Sequence, residues 1–371
     1  MENEWDVINN FFLENSLVQH HIDSFNEFLD ISLLTILKEY ECVNIGEFSN
    51  ITLKNMQLHK PNHIEHDRTC THIKPPESRL RNLTYSSNLV VDITIIIKGD
   101  TTVFANVLLC KLPIMVRSNL CNTLVSDEDI GGYFIINGSE KVLISQEKMT
   151  NNKFFVFEKR HPMKYSHIGE FRCVKENELR SSNTMFLYVT TMNIKREQFI
   201  RLQLTSMRGD ISIFHMFFIL GYETKEEILD CFKNESDKVK QFIQASMIEF
   251  NTTTRCESIK AFSSKMMTND NVEKVVISDF AYTSETIANK KIMLKYMVIK
   301  LINCCLGNTL EDDRDHFKNK RIELAGHLYT NLFRQLFRRT YKEFINNTTK
   351  FVLNSKILNI QNMYKSKIVS N

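Results

Sequence analysis

Three groups of residues have types and spacings that chemistry could use. Asp312, Asp313 and Asp315, with Arg314 and His316 among them, bring carboxylates together as a Mg²⁺ site requires. Arg314 and Lys320 are close enough to pair with those acids, and acids ahead of a helix also cap it, so a structural role is favoured. HKPNHIEHDRTCTHIKPP gathers His59, His63, His66 and His72 with Cys70. A metal site and a solvated polar loop both fit it; the spacings match no standard zinc pattern, which favours the loop. Arg334, Arg338 and Lys342 fall at i, i+4 and i+8, on one face of the helical stretch RIELAGHLYTNLFRQLFRRTYKEF, where they could follow a phosphate backbone. On spacing alone a solvated helix face is the simpler account. No nucleophile motif, Walker loop, G-x-G-x-x-G or H-E-x-x-H occurs, and no Cys–His spacing is suggestive. No catalytic residue and no metal ligand is therefore assigned, and an autonomous enzyme is disfavoured.

The elements that must position these residues are legible in outline. Residues 1 to 40 repeat apolar positions at helical spacing, with Val7, Ile8, Phe11 and Phe12 and then Phe25, Phe28 and Leu29; Leu328, Leu332, Phe333, Leu336 and Phe337 form a stripe on the late helix. LVVDITIIIKGDTTVFANVLLCKLP predicts a hairpin turning at Lys98-Gly99-Asp100. In KLPIMVRSN, Pro113 ends a strand and Arg117 follows an apolar knot. GGYFIINGSEKVLISQ predicts a second hairpin: a strand over 133–136, an Asn137-Gly138 turn that needs positive φ twice, and a return strand over 141–144. Ser139, Glu140 and Lys141 lie near its tip, and Gln146, Glu147 and Lys148 at its base. Glycine is scarce, 10 residues in all, yet Gly131, Gly132 and Gly138 share this one window. Short strands continue to 190, and near residue 193 the texture turns helix-rich. These readings give a mixed α/β (α+β) fold with parts at 1–192, 193–310 and 311–371.

Composition narrows the class. With 43% hydrophobic and 25% charged residues, the 371-residue chain has ample material for a core in two domains or one large one. A net charge of +3 is too weak to predict nucleic-acid binding by itself. Nine cysteines without a C-x-x-C, and an acidic opening where a signal peptide needs bases, point to free thiols in a reducing intracellular compartment. No apolar run is long enough to span a membrane. Abundant Asn, Ile, Lys and Phe suggest an AT-rich genome.

Five stretches, taken in order, resemble one family. WDVINNFFLENSLVQHHIDSFNEFL carries the step Gln19, Asp23, Ser24 and Phe25; PPESRLRNLTYSSNLVVDI carries Arg79, Arg81, Leu83, Thr84 and Tyr85; LPIMVRSNLC, GGYFIINGSEKVLISQEKM and the Asp-Arg-Asp-His-Phe-x-Asn-Lys-Arg box of EDDRDHFKNKRIELAG complete the series. Together they resemble the N-terminal part of the second-largest (beta-like) subunit of multisubunit DNA-directed RNA polymerase. The resemblance implies a protrusion module over 1–192, interrupted by a shorter-than-usual lobe over 193–310 and resumed over 311–371, lining one side of a DNA cleft. It implies that Arg117, Lys141, Gln146, Lys148, Lys318, Lys320, Arg321, Arg334 and Arg338 contact DNA or the DNA–RNA hybrid through phosphates. Its implied partners are the largest subunit, a C-terminal second-subunit piece, template DNA, the hybrid and transcription factors, with no membrane. Catalytic Mg²⁺ and structural Zn²⁺ are expected in those other parts and no cofactor in this chain, which ends before the family's fork and hybrid-binding regions. The alternatives are a split subunit, a truncated form, or a degenerate remnant acting as a free-standing binding module. A split gene in an AT-rich genome would suit a large DNA virus. One departure stands out: Lys318 occupies a position where the family usually has Gly, which requires a negative φ or a compensating contact there.

Overall fold

The computed structural model describes residues 4–44, 49–65, 67, 69–97, 100–121, 129–159, 163–174, 183–192, 197–252, 254–267, 280 and 286–353. Lys98, Gly99 and His66 of the sequence reading lie outside these residues. The chain forms two compact units, Met1–Glu147 with Ile322–Asn371, and Lys148–Arg321.

The first unit opens with α1 (Glu4–Glu14), α2 (Gln19–Glu27), a π-helical turn (Phe28–Ser32) and α3 (Leu33–Lys38). Phe25, Phe28, Leu29, Leu33, Ile36 and Leu37 recur at helical spacing and are all buried. α1 differs, because Trp5, Val7, Ile8, Phe11 and Phe12 are exposed and none of its residues is buried. β1 (Cys42–Asn44) and β2 (Ser49–Leu58) follow, and then β3 (Asn62–Ile64) and β4 (Cys70–His72), which pair as a small hairpin where the sequence predicted a loop. After α4 (Pro75–Leu80) come β5 (Ser86–Ile97) and β6 (Asp100–Pro113), completing an antiparallel sheet of order β1-β2-β5-β6. Asp92 explains how a carboxylate sits inside β5. It accepts the Asn106 amide at 2.9 Å and the Asn55 side chain at 2.7 Å, beside register shifts on both neighbouring strands. Asn55 and Asn106 take left-handed φ, 50° and 53° respectively, beside those shifts.

β7 (Phe134–Ile136) and β8 (Ser139–Lys141) form the predicted hairpin. Its return strand stops at Lys141, short of the predicted 144, and Val142 and Ile144 are exposed. The chain then enters β9 (Gln146–Met149), whose partner is the late strand β15 rather than β7.

In the second unit β10 (Phe154–Glu158), β11 (Tyr165–Cys173), β12 (Asn183–Thr190), β13 (Ile200–Leu204) and β14 (Ile211–Ser212) form an antiparallel meander. Helices α5 (Phe214–Ile219), α6 (Lys225–Cys231), α7 (Asp237–Ile248), α8 (Arg255–Ser263) and α9 (Ile287–Cys305) follow. One core joins them, including Phe171, Leu187 and Leu202 of the sheet with Phe217, Phe218, Leu294 and Leu301 of the helices. The change of texture near residue 193 thus falls inside this unit, between β12 and β13 of its sheet, and its helices begin only at Phe214.

β15 (Lys320–Glu323) leads into α10 (Ala325–Leu353). The sequence placed 321–323 in the helix; Arg, Ile and Glu are tolerable in helices, but pairing with β9 satisfies their backbone as a strand. Phe333, Phe337, Tyr341 and Phe344 are buried, whereas Leu332, placed in the stripe, is exposed. Tyr329 stands 4.9 Å from Phe28 and Phe337 lies 5.3 Å from Tyr40, so α10 and the N-terminal helices share a core. Phe134 of β7 joins it, 5.3 Å from Phe25 and stacked 6.0 Å from Tyr329. The antiparallel sheets and helices make the fold α+β, as expected.

Candidate nucleic-acid interface

The β7–β8 hairpin turns on Asn137 and Gly138, with φ of 50° and 77°, the two positive values a type I′ turn needs. The segment from Arg79 to Tyr85 clasps it. The Gly138 amide donates to the Leu83 carbonyl at 3.0 Å, the Asn137 amide to Thr84 Oγ1 at 3.1 Å, and the Tyr85 amide to the Ile135 carbonyl at 2.9 Å. Arg79 donates to Asp129 at 3.2 Å and to Tyr133 Oη at 2.7 Å, and lies 3.1 Å from Glu140. Tyr133 in turn donates to Asp129 at 2.7 Å, as does the Gly131 amide at 3.0 Å. Burial pushes the Asp129 carboxyl up, but the Tyr133 hydroxyl, the Gly131 amide and the Arg79 charge together hold it below the usual carboxylate range. Burial and Asp129 drive the Tyr133 hydroxyl well above its ordinary value. Arg81 forks between Glu65 and Glu77, each at 2.8 Å. The two arginines of the Arg79–Tyr85 motif therefore belong to the frame that fixes the hairpin.

On that frame Lys141 and Gln146 are exposed, and so is Arg117, which takes a left-handed φ of 67°. Gly131 makes this conformation possible: a Cβ there would lie 2.8 Å from both Arg117 Cβ and the Val116 carbonyl oxygen. A Cβ at Gly132 would meet Val18 at 3.0 Å. Their close approach is to this chain's own backbone and side chains. The predicted stripe on α10 is divided. Arg338 and Lys342 are exposed, but Arg334 is only 13% exposed and pairs with Glu39 at 2.6 Å, because α3 ends beside it.

In the second unit the Asp312 cluster has the structural role that was favoured. The Asp312 amide donates to the Val156 carbonyl at 2.9 Å, and Asp312 Oδ2 accepts the Val156 amide at 2.9 Å and Lys300 Nζ at 2.7 Å. Glu311 accepts the Glu158 amide at 2.9 Å, and Asp313 accepts the Asp315 amide at 2.8 Å. The Arg314 guanidinium stacks 3.6 Å over the Phe157 ring. Lys300 also donates to the Phe154 carbonyl at 2.8 Å. A hydrogen bond to a charged group contributes about 1.5–3 kcal/mol, against less than about 1 for an open surface pair; with side chains 24% and 21% exposed, Lys300 and Asp312 approach the former case. Asn319 is buried, donating to the Asp313 carbonyl at 2.6 Å and accepting Lys153 Nζ at 2.7 Å. Between these anchors runs the turn Phe317–Asn319, where Lys318 has negative φ and so meets the demand its non-glycine side chain makes. Lys318 and Arg321 are exposed, Lys320 and Lys148 half-buried, and Phe317 is 83% exposed. The structure thus brings Lys318, Lys320 and Arg321 together within four residues, with Lys148 on the strand paired to β15.

Exposed bases on rigid turns can hold phosphates without reading base sequence. Sequence reasoning missed the residues behind them: Lys300, Lys153, Asp129 and Tyr133. Lys300 and Lys153 reach partners 146 and 166 positions away, which no local pattern encodes. Among the described residues no group of three or more His, Cys, Asp and Glu is placed to hold a metal ion. All nine cysteines are free thiols, and no described helix is long and apolar enough to cross a membrane.

A family model described as RNA polymerase beta subunit matches residues 16–371. The chain is 33% identical over 423 aligned positions to DNA-directed RNA polymerase II subunit 2 of Arabidopsis thaliana, covering 100% of this chain and 36% of that protein. It is 28% identical to DNA-directed RNA polymerase II subunit RPB2 of Encephalitozoon cuniculi, again over 100% of this chain and 36% of that protein. It is 26% identical to DNA-directed RNA polymerase subunit Rpo2N of Methanococcus vannielii, over 98% of this chain and 78% of that protein. The chain thus spans about a third of the length of the two eukaryotic proteins. The plant alignment is longer than the chain itself, so that protein carries insertions relative to it. With a match that runs from Ser16 to the last residue and takes in all of the described hairpin and the Asp312 box, the chain belongs to the RNA polymerase beta subunit family.

Proposed function

We propose that this chain serves as the N-terminal region of the second-largest subunit of a DNA-directed RNA polymerase, forming part of the wall of the DNA cleft. Its contribution is positional. The protrusion corresponds to the first compact unit and the lobe lies in the second. Exposed Arg117, Lys141, Gln146 and Arg338 on the first unit, and Lys318 and Arg321 with half-buried Lys148 and Lys320 on the second, hold DNA and the DNA–RNA hybrid through phosphates. Nucleotidyl transfer, with its Mg²⁺, and the Zn²⁺-binding segment belong to the rest of the assembly, in which the largest subunit, the remainder of the second-largest subunit and transcription factors are the partners. The nine free thiols suit a reducing intracellular compartment.

The observation that carries this reading is the basic turn Lys318–Arg321. Lys318 and Arg321 face solvent, while the buried Asn319 between them and Asp312 ahead of the turn pin its backbone. That is the arrangement a sequence-independent phosphate contact needs. The test is a complex purified through a tag on this chain, assayed for affinity to a DNA–RNA scaffold across a salt series. Lys141→Ala and Arg321→Ala should each weaken binding and reduce the slope of log affinity against log salt by about 0.9, one phosphate contact apiece. Unchanged affinity and slope in both variants would refute the contacts, and recovery of the tagged chain without a largest-subunit homologue would refute the assembly.

A further inference from the structure

We infer that Lys300 and Asp312 are positioning residues that hold the basic turn Phe317–Arg321 in the orientation its phosphate contacts require, an inference that rests on the reading of that turn just given. The turn is short, and its single 3-10 element cannot fix itself. Its orientation comes from the chain before it. β10 is the edge strand of the five-stranded sheet. Glu311 and Asp312 lie along its open side and take up backbone groups of Val156 and Glu158 that no strand satisfies. Lys300 locks this arrangement. Its ammonium bridges the Phe154 carbonyl and Asp312 Oδ2, at 2.8 and 2.7 Å, from a helix whose Leu294, Val298, Leu301 and Ile302 are buried in the core of the unit. The far end of the turn is tied to the short link that leads into β10, since the Asn319 carbonyl accepts the Thr150 amide at 2.9 Å and its side chain accepts Lys153 at 2.7 Å. Release of Asp312 would free one end of the turn while leaving its bases in place. They would then meet phosphates only at the cost of ordering the segment anew.

Positioning and simple electrostatics predict opposite signs, which makes the inference testable. Asp312 carries a negative charge, so its removal should strengthen polyanion binding if charge alone matters. If Asp312 positions the turn, Asp312→Ala should weaken it. The probe is the DNA–RNA scaffold and the tagged complex of the previous section, read as affinity across a salt series. Asp312→Ala and Lys300→Met are each expected to lower affinity and to make the salt slope shallower by about 1 or more. Lys300→Arg, which keeps charge and donors, should restore most of both. The double variant Lys300→Met/Asp312→Ala should be no worse than either single change, because both act through one link. A melting curve by circular dichroism accompanies each variant, and if Lys300→Met unfolds, Lys300→Gln, which keeps a donor, gives the same slope comparison. Tighter or unchanged binding by Asp312→Ala, with Lys318→Ala and Arg321→Ala still weakening it, would overturn the positioning role and leave the phosphate contacts standing. Unchanged binding by Lys318→Ala and Arg321→Ala would instead overturn the contacts themselves, and the positioning role with them.

Discussion

Gly326→Ala sets two effects against each other, and the structure decides which wins. Gly326 is the second residue of α10, where helix propensity alone favours alanine by about 1 kcal/mol. A Cβ there, however, would fall on the carbonyl group of Ser24 in α2 and 2.7 Å from Ser24 Oγ. The obstacle is backbone, so no rotamer change relieves it, and the two helices must separate. Overpacking of this kind costs about 1–3 kcal/mol, here at the upper end. The shift also stretches the hydrogen bond from the Gly326 amide to Ser24 Oγ, 3.1 Å long and buried, for about 1 kcal/mol more. The net expectation is destabilisation of about 2–3 kcal/mol. For a unit of about 200 residues this lowers the melting midpoint by about 5–10 °C. Scanning calorimetry of the full chain reads it directly, in the transition of the first unit. A variant that melts at or above the parent would show that α2 and α10 are not held this closely, and would refute the packing account of the shared Phe25–Phe28–Tyr329 core.

Gly131→Ala should destabilise by about 2 kcal/mol, combining a left-handed φ of 76° with contacts of 2.8 Å to Arg117 Cβ and the Val116 carbonyl. Gly307→Ala, with a similar φ of 75° but nothing within 4 Å, should cost only about 1 kcal/mol, and equal urea midpoints for the two would remove steric contact as the cause. His215 is pushed down to about 4 from 6.5 by burial, with Lys265 and Arg201 adding to the effect, so the unfolded chain takes up a proton that the folded state resists. Its contribution is therefore intact above about pH 6.5 and lost as the pH falls toward about 4. His215→Phe should flatten the melting midpoint across that window, and an unchanged pH profile would count against the shift.

What could be read from the sequence was what short-range geometry dictates. Asn137-Gly138 announces its turn because few residues accept two positive φ values in succession. The acids from Glu311 to Asp315 could be assigned a structural role because basic partners were near, although the partner that matters, Lys300, was not among those considered. Where tertiary contacts decide, the reading failed. Arg321–Glu323 has tolerable helix propensity, yet pairs as a strand with β9. Leu332 fits the helical stripe, yet faces solvent. Arg334 fits a row of phosphate-binding bases, yet is held by Glu39, 295 positions away.

The glycines show the same division and answer why so scarce a residue gathers at one hairpin. A glycine kept for the approach of a bound nucleic acid should have open space where its Cβ would be, as Gly209 and Gly307 do. At Gly131, Gly132, Gly138 and Gly326 that space is filled instead by Arg117, Val18, Asn82 and Ser24 of this chain. Each is a point where two segments of the resemblance motifs meet: Gly131 against LPIMVRSN, Gly132 against Val18 of the opening stretch, Gly138 against RLRNLTY, Gly326 against the Asp23-Ser24-Phe25 step. The motifs therefore carry two kinds of residue. Glycines, Arg79 and Asp312 bind the motifs to one another and to their own sheets, and the exposed bases Lys141, Lys318 and Arg321 face outward from the result. Substitutions of the first kind should appear first as lost stability, and those of the second kind as altered salt dependence in an otherwise stable protein.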